Sequence, residues 1–158
     1  MMIATLDTIH GCSPQEINEM KARQGVNYLP DLYVEYLLVL GKEAGNLDVG
    51  SSCFYPTLLE LKGSAVNLLE ENEFPFLLPD DAFVFFMHQG YQFLYFLTKD
   101  KLEDPPVFYY IEDPDLRSLM PQRKHEHLSE FLTYFIVDVK GKEAQESFLE
   151  HWKSQLKS

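Results

Sequence analysis

The chain has 158 residues, which fits a single domain of common size, and 46% of them are hydrophobic. This content, together with an aromatic share of 14%, argues against disorder over most of the chain. The formal net charge of −12 argues against a general nucleic-acid binder and against docking on anionic lipid, because both need lysine and arginine beside phosphate. A basic partner is compatible with this charge.

The cysteines and the N-terminus indicate a protein of a reducing compartment. Cys12 and Cys53 make no disulfide framework, so we expect two buried thiols. The segment Met1–Cys12 has no basic region and predicts no secretory signal. The most apolar stretch, Phe83–Leu97, is shorter than the roughly 18 residues that span a bilayer. We therefore expect a cytoplasmic protein.

Two helices are predicted in the first third of the chain. Ser13 and Glu16, with Pro14 between them, form a capping box, and Gly25 is a suitable stop. The second helix opens at Leu29-Pro30-Asp31 and ends at Gly41. Helical spacing relates its apolar positions, which are Leu32, Tyr33, Tyr36, Leu37 and Leu40.

A loop and a third helix follow. The segment from Gly41 to Ser52 is rich in glycine, asparagine, aspartate and serine, which predicts a loop, and Ser52–Tyr55 suits a short strand. The third helix is predicted from Pro56 to about Asn72. Gly63 weakens that helix, since glycine costs about 1 kcal/mol relative to alanine.

The central part of the chain predicts an aromatic meander. Ala82–His88 and Tyr91–Thr98 are predicted strands around the two-residue turn Gln89-Gly90. Alternate residues on both sides of these strands are apolar, which is typical of strands that are covered on both faces or lie centrally in a sheet. Val107–Ile111 is predicted as a third strand after two prolines.

The last part predicts a loop and two helices. Glu112–Lys124 is charged and contains two prolines, so we expect a loop. A helix then contains Leu128, Phe131, Leu132 and Phe135, Gly141 breaks it, and Glu143–Leu156 forms a final helix. The order of elements is helices, then a meander, then helices. This order predicts one α+β domain over residues 1–158, with a mostly antiparallel sheet flanked by N- and C-terminal helices.

Four segments in this order resemble the SUKH superfamily, whose namesake is a yeast cell-wall-synthesis regulator. They are the Leu-Pro helix start 29–37, the hairpin 83–97, the Pro-Val-aromatic strand 104–110 and the late helix start 127–132. The resemblance implies an α+β domain without universal catalytic residues. It also implies that a bacterial member is an immunity protein, which neutralises a toxin of a contact-dependent or related polymorphic system.

The resemblance leads us to expect a non-enzymatic immunity protein that binds a cognate toxin domain. Its acidity suits a nuclease-type toxin with a basic cleft, because negative charge mimics phosphate. A regulatory scaffold of the same fold without a toxin is the alternative. A small enzyme that uses a carboxylate pair is a third hypothesis. We expect no cofactor, and the sequence leaves the oligomeric state open.

Two patterns that suggest other chemistry have simpler interpretations. The stretch 90–96 is similar to the RNA-stacking strand of an RRM, but Gln89 and Gln92 occupy its basic and small positions. We interpret its aromatics as packed strand residues. His125 and His127 lack a zinc-ligand spacing, so we expect surface histidines and no metal.

Clusters of acidic residues in the loops are the candidate contacts for a partner. If the loops share one edge of the sheet, they form an acidic rim that steers a basic protein. The alternative is that these are ordinary solvated loops whose charge serves solubility. The candidates are Glu103, Asp104, Glu112, Asp113, Asp115, Asp80 and Asp81.

Overall fold

An antiparallel sheet of five strands forms the centre of the fold, and its strands follow chain order from one edge to the other. The structure is a computed structural model that describes residues 10–42, 51–112, 122–136, 146, 148–150 and 153. The sheet and its helices confirm the predicted α+β class. The strands are β1 (Ser51–Ser52), β2 (Ala82–His88), β3 (Gln92–Leu97), β4 (Val107–Ile111) and β5 (Gln122–His125).

Of the α-helices with both ends in the described residues, two precede β1 in the chain, one lies between β1 and β2, and one follows β5. None of these helices is both long and apolar enough to cross a membrane. The predicted third helix begins instead with one 3-10 turn, Thr57–Glu60, before it becomes α-helical. The α-helices are α1 (Pro14–Gln24), α2 (Asp31–Leu40), α3 (Leu61–Glu71) and α4 (Leu128–Phe135).

The beginnings and ends of α1 and α2 confirm the signals in the sequence. The Ser13 hydroxyl accepts the Glu16 N–H at 3.2 Å, and the Glu16 carboxylate accepts the Ser13 N–H at 2.8 Å. Gly25 ends α1 with a φ of 70°, a left-handed conformation that glycine adopts without a Cβ penalty. Gly41 caps α2, and the five apolar positions predicted for α2 are all buried.

Other parts of the chain cover both faces of the sheet, as expected for strands whose residues are apolar on both sides. On one face, the ring of Tyr33 from α2 lies 5.5 Å from Phe83 and 5.4 Å from Phe96. On the other face, beside the end of α3, the ring of Phe74 lies 4.8 Å from Tyr110, and the amide of Asn72 donates to the Tyr110 hydroxyl at 3.0 Å. The aromatic residues of the meander therefore build the core.

A buried glutamine closes the part of the β2 edge that β1 leaves open. The two residues of β1 pair only with Met87 and His88. Earlier in β2, the Gln24 side chain binds the main chain as a neighbouring strand would. Its Nε2 donates to the Val84 carbonyl at 2.8 Å, and its Oε1 accepts the Val84 N–H at 2.8 Å. Gln24 is only 1% exposed, so these bonds satisfy groups that have little access to water.

The prediction of a loop over Glu112–Lys124 is wrong at its C-terminal end. Gln122–His125 forms β5, which pairs with β4 in antiparallel register. Its charged residues give weak strand propensity, but lysine and arginine are common on edge strands. Pairing with the main chain of β4 therefore decides the conformation of this segment.

The other boundaries shift by a few residues. The short strand predicted at Ser52–Tyr55 is observed at Ser51–Ser52, and Tyr55 forms only an isolated bridge to Lys42. Glu146, residues 148–150 and Lys153 are helical. The remainder of the predicted final helix and the break at Gly141 lie outside the described residues.

Candidate functional site

Four of the predicted contact acids lie together at one end of the sheet. Asp80 and Asp81 precede β2, and Glu103 and Asp104 lie shortly before β4. The antiparallel register of β2, β3 and β4 brings the starts of β2 and β4 to the same end. Asp80 and Glu103 are exposed, whereas Asp81 and Asp104 are half-buried.

The fifth described candidate lies at the opposite end. Glu112 follows β4, is exposed, and donates its main-chain N–H to the carbonyl of Tyr91 at 2.8 Å, beside the β2–β3 turn. Asp113 and Asp115 lie outside the described residues. The five described acids therefore form two separate groups, and they do not share one edge of the sheet.

The carboxylate of Asp104 caps α4 from a distant part of the chain. Its Oδ1 accepts the Ser129 N–H at 2.8 Å, and its Oδ2 accepts the Ser129 hydroxyl at 2.6 Å. The carbonyl of Pro105 accepts the N–H of Leu128 at 2.7 Å. His127, at the N-cap position, makes no capping bond with its side chain. Asp104 thus supplies the cap and attaches α4 to the start of β4.

Asp104, His127 and Ser129 lie close together, but their bonds are those of a helix cap. The Ser129 hydroxyl donates directly to Asp104, whereas in a Ser-His-Asp triad the serine donates to the histidine, which the aspartate orients. The Nδ1 of His127 lies 3.2 Å from the Asp104 carbonyl and 4.0 Å from its carboxylate. The cluster therefore holds α4 on the sheet.

Asp81 and Asp80, at this same end, fix the segment that precedes β2. The Asp81 carboxylate accepts the Lys99 N–H at 2.9 Å, and the Asp81 carbonyl accepts the Thr98 hydroxyl at 2.8 Å. The Asp80 carbonyl accepts a hydrogen bond of 2.6 Å from the ammonium of Lys62. Burial lowers the pKa of Lys62, while Asp80 and Asp81 act in the opposite direction.

An open groove lies between α4 and the sheet. Its volume is about 1270 Å³. Tyr134 on its wall is 75% exposed, which is unusual for an aromatic ring of this size. The lining residues are Phe86, Lys124, His125, Ser129, Glu130, Phe131, Thr133, Tyr134 and Phe135.

Ring contacts extend from this groove to the turn between β2 and β3. The ring of Phe131 lies 5.7 Å from Phe86, the Phe86 ring stacks on His88 at 6.5 Å, and His88 lies 5.7 Å from Tyr91. All four residues are half-buried. We call Phe86, His88, Tyr91 and Phe131 the aromatic stripe.

The charged groups of the groove come from β5 and α4. His125 Nδ1 lies 3.9 Å from the Glu130 carboxylate. Burial lowers the pKa of His125; Glu130 opposes that shift, and Lys124 adds to it. The ammonium of Lys124 lies 5.3 Å from the centre of the Tyr109 ring. At neutral pH the groove therefore has a carboxylate on one wall and an ammonium on the other.

The sequence does not predict the aromatic stripe, because it indicates only that these strands are apolar. A bulge between Val84 and Phe86 shifts the pairing of β2 with β3 and brings both Phe85 and Phe86 against Phe131. By contrast, Phe93 and Phe96 of the RRM-like stretch are fully buried, which confirms them as packed aromatics.

The histidines differ from the expectation in one respect. His125 is half-buried in β5 and its ring contacts Phe131 at 5.9 Å, whereas His127 is exposed. Within the described ranges, no three His, Cys, Asp or Glu side chains are grouped closely enough to hold a metal ion.

Compared with known proteins, the chain matches no family model, no curated protein and no solved structure. The four segments that resemble the SUKH superfamily correspond to the start of α2, the β2–β3 hairpin, β4 and the start of α4.

Proposed function

We propose that this protein is a non-enzymatic immunity protein of the SUKH type, which binds a cognate toxin domain and covers its active surface. The observation that supports a binding role is the open groove beside α4 with the adjoining aromatic stripe. Half-exposed aromatic rings supply much of the binding energy at protein interfaces, and tyrosine is enriched among the residues that dominate them.

The charge of the chain supports a basic toxin. The net charge of −12 attracts a positively charged protein over long range and raises its association rate more than its final affinity. Nucleases fit this description, because their substrate clefts carry lysine and arginine for phosphate. The exposed carboxylates of Glu103 and Glu112 lie at opposite ends of the sheet, so each end offers a contact that can be tested separately.

Affinity purification of the tagged protein from its own host, at moderate salt and with mass spectrometry, tests the proposal. We expect a stoichiometric partner with a basic C-terminal domain whose toxicity is suppressed when the two proteins are co-expressed. A stoichiometric partner without toxicity would instead support the regulatory scaffold. Recovery of the protein alone, while candidate toxins are expressed, would contradict an immunity function.

Charge reversal tests the electrostatic part of the proposal. Replacement of Glu112, Asp113 and Asp115 by lysine should slow association with the toxin and make the association rate less dependent on salt. A second variant, Glu103→Lys with Asp80→Lys, reverses two charges at the opposite end of the sheet. If toxin binding and its salt dependence stay unchanged in both variants, the acidic residues do not steer the partner.

A further inference from the structure

We infer that the partner contributes a basic, arginine-bearing segment that lies along the aromatic stripe between Glu112 and Glu130. The inference rests on the proposed function and specifies which surface makes the contact and which chemistry it meets. It places the contact on the face of the sheet that carries α4, and not on the loops that precede β2 and β4.

The geometry provides a continuous track for such a segment. Tyr91, His88, Phe86 and Phe131 are joined by successive ring contacts of 5.7, 6.5 and 5.7 Å. Tyr134, on the same helix as Phe131, extends the aromatic surface into the groove and is 75% exposed. A side chain with a long apolar stem can cover these rings without leaving a gap for water.

Acidic residues lie at both ends of this track. The main chain of Glu112 is bound to that of Tyr91 by a 2.8 Å bond from the Glu112 N–H to the Tyr91 carbonyl, and Glu112 is exposed. Glu130 lies on the groove wall with a side chain that is 47% exposed, next to a histidine whose lowered pKa keeps it neutral at pH 7. Guanidinium groups stack on aromatic faces and pair with carboxylates, so arginine satisfies both features together.

The loops that precede β2 and β4 fit a basic partner less well. There the carboxylates of Asp81 and Asp104 already accept hydrogen bonds from Lys99 and Ser129. A competing partner would have to break the cap of α4 to use Asp104. Asp80 and Glu103 are the exposed acids of these loops, and Glu103 serves as the control position.

Lys124 allows a test of the sign of the partner's charge. Its ammonium lines the groove and opposes a basic segment, so Lys124→Glu should strengthen binding of a basic probe. Glu130→Gln and Glu112→Gln should weaken the same binding. An acidic occupant would reverse all three effects, and an occupant held by apolar contacts alone would show none of them.

The probe is a twelve-residue peptide of alternating arginine and leucine, with blocked termini, titrated into the isotope-labelled full chain at low salt. A matched peptide has glutamate in place of arginine. We expect NMR shift changes along the aromatic stripe with the arginine peptide. Removal of either carboxylate should weaken binding by about two- to five-fold, as for exposed ion pairs. Glu103→Gln should leave the affinity unchanged.

The inference is overturned if the glutamate peptide binds as well, if the shift changes are confined to the loops that precede β2 and β4, or if no binding occurs. Tyr134→Ala gives a further check, because its ring is mostly exposed and its loss should reduce binding without lowering the melting temperature. If variants at Glu112, Glu130 and Tyr134 still rescue cells from a captured toxin, the stripe is not the contact surface while the proposed function stands. If no toxin is captured, the proposed function fails, whatever the peptide does.

Discussion

Asp104 caps α4 through Ser129, with one carboxylate oxygen on the Ser129 N–H at 2.8 Å and the other on its hydroxyl at 2.6 Å. The two residues lie 25 positions apart, so the bond pair fixes α4 relative to β4. Asp104, which the sequence suggests as a contact for a partner, thus has a structural role.

Replacement of Asp104 should therefore reduce stability. Asp104→Ala removes the cap and should lower the free energy of unfolding by about 1–2 kcal/mol, measured by urea denaturation. Asp104→Asn keeps an oxygen acceptor for the Ser129 N–H and should lose less. Glu103→Ala is the control, because Glu103 is exposed. Equal stability of Asp104→Ala and Glu103→Ala would contradict the capping role.

Gln24 should be the most sensitive polar residue of α1. Gln24→Met keeps the size of the side chain but removes its bonds to the N–H and carbonyl of Val84 and to the carbonyl of Leu58. We expect a loss of about 2–4 kcal/mol in the free energy of unfolding, because each orphaned buried group costs 1–3 kcal/mol. Gln15→Met, at an exposed site of the same helix, should change stability little. A loss below 1 kcal/mol at Gln24 would contradict the role of Gln24 in closing the β2 edge.

Two glycines should respond to alanine with opposite signs. At Gly11, a Cβ would lie 1.7 Å from the carbonyl oxygen of Leu38, so the chain must move away from α2. Gly11→Ala should lower the melting temperature. At Gly63, inside α3, nothing lies within 4 Å of the added Cβ. Gly63→Ala should raise the free energy of unfolding by about 0.5–1 kcal/mol, which calorimetry can resolve. Equal shifts in both variants would refute this contrast.

His125 should make stability depend on pH in mildly acidic solution. Burial lowers its folded-state pKa below 6.5, so the unfolded chain binds the proton more readily. The free energy of unfolding should therefore fall as pH drops below about 6.5 and through the folded-state pKa. Urea denaturation at several pH values should show a flatter profile for His125→Gln.

The neighbours of His125 provide the control for that prediction. Lys124 adds to the downward pKa shift and Glu130 opposes it. Lys124→Gln should thus weaken the pH dependence, while Glu130→Gln should strengthen it. A profile that is the same in all three variants and in the wild type would show that His125 does not contribute.

The cysteines should be unreactive in the folded protein. Both are buried and not disulfide-bonded, and burial, reinforced by the charge of Glu16, raises the pKa of Cys12 to about 12. Because the thiolate is the nucleophile, a colorimetric disulfide reagent at pH 8 should label the native protein only on the time scale of unfolding. Protein in denaturant should react at once with both thiols. Fast labelling of the native chain would contradict this burial.

Much of the fold follows from signals that act over a few residues. The capping box of Ser13 and Glu16, the left-handed Gly25 and the apolar stripe of α2 each involve neighbours within one or two helical turns. The two-residue turn at Gln89-Gly90 also connects adjacent strands. Such signals are visible in the sequence because the interacting groups are close along the chain.

The sequence alone thus determined the α+β class, the positions of the main helices and strands, and an acidic surface. Only the tertiary structure decided the strand at β5, the cap from Asp104 to α4, the closure of the β2 edge by Gln24 and the split of the acids between two ends of the sheet. The physical reason is distance along the chain: Gln24 meets Val84 across 60 positions. No local propensity encodes such contacts, because they exist only after the sheet and helices have packed.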